Sequence, residues 1–156
     1  MFLDSDTFRT VVSHTPLVAI DLVVQDGDGC VLLGQRINRP VKGGWFVPGG
    51  RIYKNETLDD AFLRIGECEL GVALKRDDAA FLGVFEHFYS ESVFGAVPEH
   101  PDTHYVVLAY HLTLPAAQLP TLPRLQHQCF RWWSKDAMLT DAAVHENCRA
   151  YLSILP

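Results

Sequence analysis

Between Trp45 and Val72 the chain passes from a short apolar run, Trp45-Phe46-Val47, through Pro48-Gly49-Gly50 into a stretch of helical periodicity. No other part of the sequence constrains the fold as much. Two adjacent glycines let a backbone turn sharply and approach a ligand closely, so a loop over a site is expected there. Leu58, Ala61, Phe62 and Ile65 then recur at three- and four-residue spacing, which predicts an amphipathic helix over Leu58 to Leu70. Asn55 and Thr57 are alternative caps for it, and Gly71 supplies its C-terminal stop. Such a helix must bury its apolar stripe against another element.

The flanking segments supply a sheet. Leu17 to Val24 is apolar and β-branched, Asp26-Gly27-Asp28-Gly29 is a turn signal, and Cys30 to Ile37 resumes as an extended run, so the three read as a hairpin. Ala79 to Tyr89, His104 to Leu114 and Cys129 to Trp133 are further predicted strands. The loop from Ser90 to Asp102 can fold over a pocket. Short helices are expected after Asp4 to Asp6, carrying Phe8, Val11 and Val12, and near the C-terminus at Ser134 to Leu139 and His145 to Leu152. Strands with a strong central helix imply an α/β fold with a mixed sheet, and 156 residues that are 48% apolar suit one domain spanning 1–156.

A formal charge of −6 excludes a general polyanion binder, so no nucleic-acid partner is expected and any phosphate site must be local. Arg36, Arg39, Lys42 and Arg51 supply cations near the glycine pair, as a local diphosphate site or as a solvated basic face. Cys30, Cys68, Cys129 and Cys148 form no CxxC pair. Without a basic leader or a long apolar run, the expectation is a cytoplasmic protein with no membrane partner.

The stretch Gly50-x5-Glu56-x7-Arg64, followed by Ile65-Gly66-Glu67-Cys68-Glu69-Leu70-Gly71-Val72, resembles the Nudix box, with Ile65 and Cys68 standing where that pattern has metal-binding glutamates. Each missing carboxylate removes an oxygen ligand for a hard cation, which points to one metal instead of several. Beyond the box the chain is similar to the GDP-mannose mannosyl hydrolases, a Nudix branch lacking the same two glutamates. The stretches that carry this likeness include Leu32-Leu33-Gly34-Gln35-Arg36, Asn38-Arg39-Pro40, Trp45 to Arg51, Glu86-His87-Phe88-Tyr89, Thr103 to Leu108 and Gln126-His127.

That resemblance implies a Nudix-type α/β/α sandwich, a homodimer, and hydrolysis of GDP-mannose or GDP-glucose by water attack at sugar C1 with inversion. It further implies Mg²⁺, with Mn²⁺ as a substitute, held by the Gly49 carbonyl, the Glu69 carboxylate and the Gln126 side-chain oxygen. His127 falls on the general base, and an imidazole titrating near 6.5 suits proton removal from water at neutral pH. Arg36, Arg51 and Arg64 fall on positions that stabilise the departing GDP, and Asp21, His87 and Tyr105 on positions linked to the leaving group or the substrate pocket. Attack at phosphorus and a noncatalytic nucleotide-sugar-binding module are the rival readings.

Several of these residues also have plainer readings. Arg64 and Glu67, three apart, would form a solvated helix pair. Gly66 within the helix would mark close packing against a strand, and Cys68 would pack as a small apolar side chain. Phe2 and Phe8 are core or interface residues in preference to guanine stackers. His14, His100, His104, His111 and His145 are taken as structural.

Overall fold

The computed structural model describes residues 3–119, 122–123 and 126–156. Helix α1 (Ser5–His14) starts at Asp4, whose carboxylate accepts the backbone N–H of Asp6 and Thr7. Strands β1 (Leu17–Gln25) and β2 (Val31–Arg36) follow as the expected hairpin. Its turn is closed by Asp26, whose Oδ1 accepts the N–H of Asp28 and Cys30. Next come β3 (Trp45–Phe46), β4 (Gly49–Arg51) and helix α2 (Leu58–Ile65). Strand β5 (Ala80–Tyr89) is followed by the small hairpin β6 (Glu91–Ser92) and β7 (Gly95–Ala96). Then β8 (Thr103–Thr113), β9 (His127–Trp133), α3 (Lys135–Thr140) and α4 (Glu146–Ala150) complete the chain.

The main sheet runs β3-β2-β1-β8-β5, with β4 paired to β1 and β9 paired to β2. Among the described strands β1 and β8 pair in parallel, in register from Leu17↔Tyr105 to Gln25↔Thr113, and the other strand pairs are antiparallel. The hairpin strands β1 and β2 share the pair Gln25↔Val31 and then part. From there β1 takes β4 as its partner, whereas β2 takes β3 and β9. This divergence opens a wedge in the sheet.

Alternation along the strands feeds two cores. Ile20, Leu22 and Leu32 face α2, packing with Phe62, Ile65 and Leu70. Val23 and Leu33 face the other way, onto Phe46, Trp133, Met138 and Tyr151 beneath α3 and α4. Helices therefore cover both faces of a mixed sheet, the α/β/α arrangement expected. Full burial of a side chain such as Phe62 or Leu22 stabilises by about 1.5–3 kcal/mol, so each face is anchored independently of the site.

Three local expectations are corrected, and the choice of helix cap is resolved. Gly49 and Gly50 lie in a strand, pairing with Asp21 and Ile20, and neither has positive φ. The glycines serve close packing: a Cβ at Gly49 would stand 2.6 Å from both Asp21 Oδ1 and the Ile20 carbonyl oxygen. The predicted helix is α-helical only to Ile65, after which Gly66–Leu70 forms a π-helical turn ended by Gly71 at φ 72°. Thr57, not Asn55, is the N-cap. Finally, Gly66 packs against the Val72 carbonyl and the Leu74 side chain of the following loop, not against a strand.

Candidate active site

The wedge between β1 and β2 holds a cavity of about 380 Å³, within the size range of small-molecule sites. Its walls carry Asp21, Arg36, Gly49, Arg51, Arg64, Glu69, His87, Tyr105, Gln126 and His127. These are the ten positions to which the family resemblance assigned a role; Arg39 and Lys42 do not line this cavity. A smaller cavity of about 180 Å³ adjoins it, sharing Arg36, Arg51, Tyr105 and Gln126 and adding Phe8, Asn38 and Arg39. The site is therefore elongated, with two arginines where the lobes meet.

One wall joins the helix after the glycines to the start of β9. The π-helical turn buries Glu69 among its neighbours Gly66 and Leu70. A single widened turn of this kind is common at functional sites, because it redirects side chains without ending the helix. Glu69, 3% exposed, accepts a 2.8 Å hydrogen bond from Gln126 Nε2 on Oε1, and its Oε2 stands 3.4 Å from His127 Nδ1. His127 is 5% exposed, and its Nδ1 has no hydrogen-bond partner among the described residues. A buried carboxylate with polar atoms converging on it is a cation-favouring donor set. Among the described residues no group of three or more His, Cys, Asp or Glu is arranged to hold a metal. A hard cation here would therefore need oxygens beyond Glu69, from backbone carbonyls, side-chain amides or a bound ligand.

The seat of His127 depends on a residue that the sequence did not single out. A Cβ on Gly34 would lie 2.5 Å from His127 Cδ2 and Cγ, so only glycine leaves room for the ring. The signal was present in Leu33-Gly34-Gln35, a glycine inside a strand, which marks a close approach.

Arg64 is committed to the frame. Its Nε donates to Glu56 Oε1 at 2.6 Å, and its Nη2 donates to Glu56 Oε2 and to the Arg51 carbonyl, each at 2.8 Å. The guanidinium also lies 4.0 Å from the centre of the Tyr53 ring. This Glu56 pair stands in place of the pair with Glu67 that was the plainer alternative, and it holds the Glu56 carboxyl below its ordinary range. Arg36 and Arg51 sit over aromatic rings, Arg36 above Phe46 at 5.1 Å and Arg51 above Phe8 at 4.1 Å. Phe8 is thus a wall of the smaller lobe, and Phe2 lies outside the described residues. Cys68, expected in the interior, is exposed at the cavity rim.

The floor is a buried polar cluster. Tyr151, fully buried, donates from its hydroxyl to Asp21 Oδ2 at 2.6 Å and meets His87 Nε2 at 3.3 Å. Burial pushes the Asp21 carboxyl up to about 6, against the hydrogen bond from Tyr151 and the charge of Arg36. Burial, with the nearby His145, pushes His87 down to about 4, so its ring is neutral at pH 7. Burial also raises the Tyr105 hydroxyl, which stays protonated. Of the histidines taken as structural, His145 caps α4 and stacks on Phe46 at 4.7 Å, and His14 bonds back to Thr10 of its own helix.

The comparisons with known proteins agree with this geometry. The NUDIX domain model matches residues 15–152, and the chain belongs to that family. It is 43% identical over 112 residues to the low-salt glycan biosynthesis protein Agl8 of Haloferax volcanii, covering 72% of this chain and 68% of that protein. The crystal structure of a MutT NUDIX hydrolase from Burkholderia pseudomallei superimposes with a TM-score of 0.68 at 25% identity, over 92% of this chain and all of that one. The NUDIX domain of Shewanella oneidensis NrtR, solved with ADP ribose, superimposes with a TM-score of 0.65 at 21% identity, over 97% and 90% of the two chains. Hydrolase chemistry of the Nudix superfamily, which generally uses a divalent metal such as Mg²⁺, is the activity class these likenesses support.

Proposed function

We propose that this Nudix protein hydrolyses GDP-mannose or GDP-glucose to GDP and the free sugar, by water attack at sugar C1 with inversion. The observation that carries the reading is the joining of Glu69 to Gln126, 57 residues away in sequence, with His127 beside them in the same cavity wall. In this reading a box lacking carboxylates at Ile65 and Cys68 would be completed from outside itself by the Gln126 amide, turned from its Nε2 contact with Glu69 so that its oxygen faces the ion.

In this reading Glu69, the Gln126 side-chain oxygen and the Gly49 carbonyl would hold one Mg²⁺, which Mn²⁺ could replace, and the ion when bound would neutralise charge on the diphosphate. His127 takes the proton from the attacking water. Arg36 and Arg51 bind the diphosphate where the two lobes meet, and guanidinium donors stabilise the charge that grows as the glycosidic C–O bond breaks. Arg64 acts on the leaving group chiefly by bracing Arg51 through its carbonyl oxygen. Asp21, His87 and Tyr105 shape the sugar side of the cavity. The working unit is a homodimer in the cytoplasm with no nucleic-acid or membrane partner; no helix among the described residues is long and apolar enough to cross a bilayer.

The test is a GDP-mannose assay with Mg²⁺ on wild type, His127→Gln and Glu69→Gln. Loss of a general base lowers turnover by about 10²–10⁴-fold, and Glu69→Gln should raise the Mg²⁺ concentration needed. Full turnover by His127→Gln at neutral pH would remove His127 from the role of base. No wild-type activity with Mg²⁺ or Mn²⁺ would favour a binding module instead.

A further inference from the structure

Tyr151 lies at the far end of the chain, beneath the cavity, and its hydroxyl touches two polar groups of the cavity wall, Asp21 and His87. A tyrosine hydroxyl has one proton to donate. It is donated to Asp21 Oδ2 at 2.6 Å, and towards His87 the same oxygen has only lone pairs left. The 3.3 Å approach of His87 Nε2 is attractive only if that nitrogen carries hydrogen. A neutral imidazole carries one N–H, so Nδ1 is then bare. The chain of donors runs from His87 Nε2–H to Tyr151 Oη–H to Asp21.

We propose that Tyr151 is a positioning residue that fixes His87 in its Nε2–H tautomer, so that His87 offers the cavity a hydrogen-bond acceptor, fit for a ligand hydroxyl and unfit for a phosphate oxygen. The inference rests on the proposed nucleotide-sugar reading for the identity of that ligand, and it deepens it: His87 recognises a sugar hydroxyl instead of serving the departing diphosphate. The tautomer itself does not depend on that reading. Tyr151 is held rigidly for this task, fully buried and edge-on to Phe85 at 4.8 Å.

The test combines a spectrum with kinetics. In long-range ¹H–¹⁵N correlation spectra of the ligand-free wild type at pH 7.5, the His87 signals, assigned by their loss in His87→Gln, should show the Nε2–H tautomer. A pure Nδ1–H tautomer, or a rapid average of both, overturns the proposal without use of any variant's activity. Tyr151→Phe removes one hydroxyl and keeps the ring; it should convert His87 to a mixture of tautomers. With GDP-mannose, Tyr151→Phe should lower kcat/KM by about tenfold and leave product inhibition by GDP unchanged, since GDP lacks the sugar. Weaker GDP inhibition in Tyr151→Phe would contradict the assignment of His87 to the sugar. An inactive wild type with an Nε2–H signal would instead count against GDP-mannose as substrate while leaving the tautomer supported.

Discussion

A methyl group at position 34 would stand 2.5 Å from the His127 ring, closer than side-chain carbons approach one another. Gly34→Ala therefore has to displace the ring or the strand that bears it. Overpacking of this kind costs about 1–3 kcal/mol, and a base displaced by as little as 1 Å loses about 10²-fold in rate. Gly34→Ala should remain folded, melt several degrees lower and lose at least tenfold in turnover; wild-type turnover would show that the His127 position is unimportant. The residue scale also shows the limits of reading a sequence. The glutamate of the box, the Gln126-His127 pair and the arginines were legible because their types and spacing match a family pattern. Tyr151 was not, since an aromatic residue near a chain end carries no signal until the fold sets it beneath Asp21. Arg64 was legible as a member of the site, but its bidentate grip on Glu56 was not, because eight residues of intervening backbone decide that geometry.

Strands β1, β2, β5, β8 and β9 line the site, and two further elements show best what local sequence can say: α2 with its π-helical turn, and β4. Periodicity located the helix and Gly71 located its end, because both follow from local backbone chemistry. The widening at Gly66–Leu70 was not legible, because it depends on what packs against the turn. Gly66 shows the reason: a Cβ there would meet the Val72 carbonyl oxygen at 3.0 Å and Leu74 Cγ at 3.1 Å. Alanine is intrinsically favoured over glycine in a helix by about 0.8–1.0 kcal/mol, yet Gly66→Ala should destabilise, because the close return of the chain outweighs propensity. A lower thermal midpoint for Gly66→Ala, with an increased Mg²⁺ requirement as Glu69 shifts, is the expected result; a rise in the midpoint would show that the turn has room. Similarly, the glycine pair was read as a loop because the sequence cannot distinguish a residue chosen for turning from one chosen for tight packing. In β4 it is the packing against Asp21 and Ile20 that excludes a side chain at Gly49.

At the scale of the molecule, the divergence of β1 and β2 creates the cavity while two separate cores hold the sheet on either side. The polar floor makes the whole fold sensitive to pH in a defined sense. His87, pushed down from 6.5 to about 4, contributes stability that is complete above pH 6.5 and lost as pH falls towards 4. Asp21, pushed up from 3.8 to about 6, acts oppositely: its contribution is complete below pH 3.8 and lost as pH rises through 6. The two offset one another on acidification. Asp21→Asn removes one side of this balance, so it should lose more stability than wild type between pH 7 and pH 4, measured as urea midpoints. Parallel losses in the two proteins would contradict a buried, ionising Asp21. The alternation of apolar residues and the turn chemistry made the α/β/α layering legible, whereas the cavity needed long-range pairing of β2 with β9, which local sequence does not encode.

The central claim is that this Nudix fold attacks sugar carbon and not phosphorus, and isotope tracing tests it most directly. Wild-type protein is incubated with GDP-mannose and Mg²⁺ in ¹⁸O-water, and both products are analysed by mass spectrometry at short times. The account predicts ¹⁸O at C1 of the released sugar and unlabelled GDP; ¹⁸O in a phosphate-bearing product, whether GMP, GDP or the sugar phosphate, would contradict it.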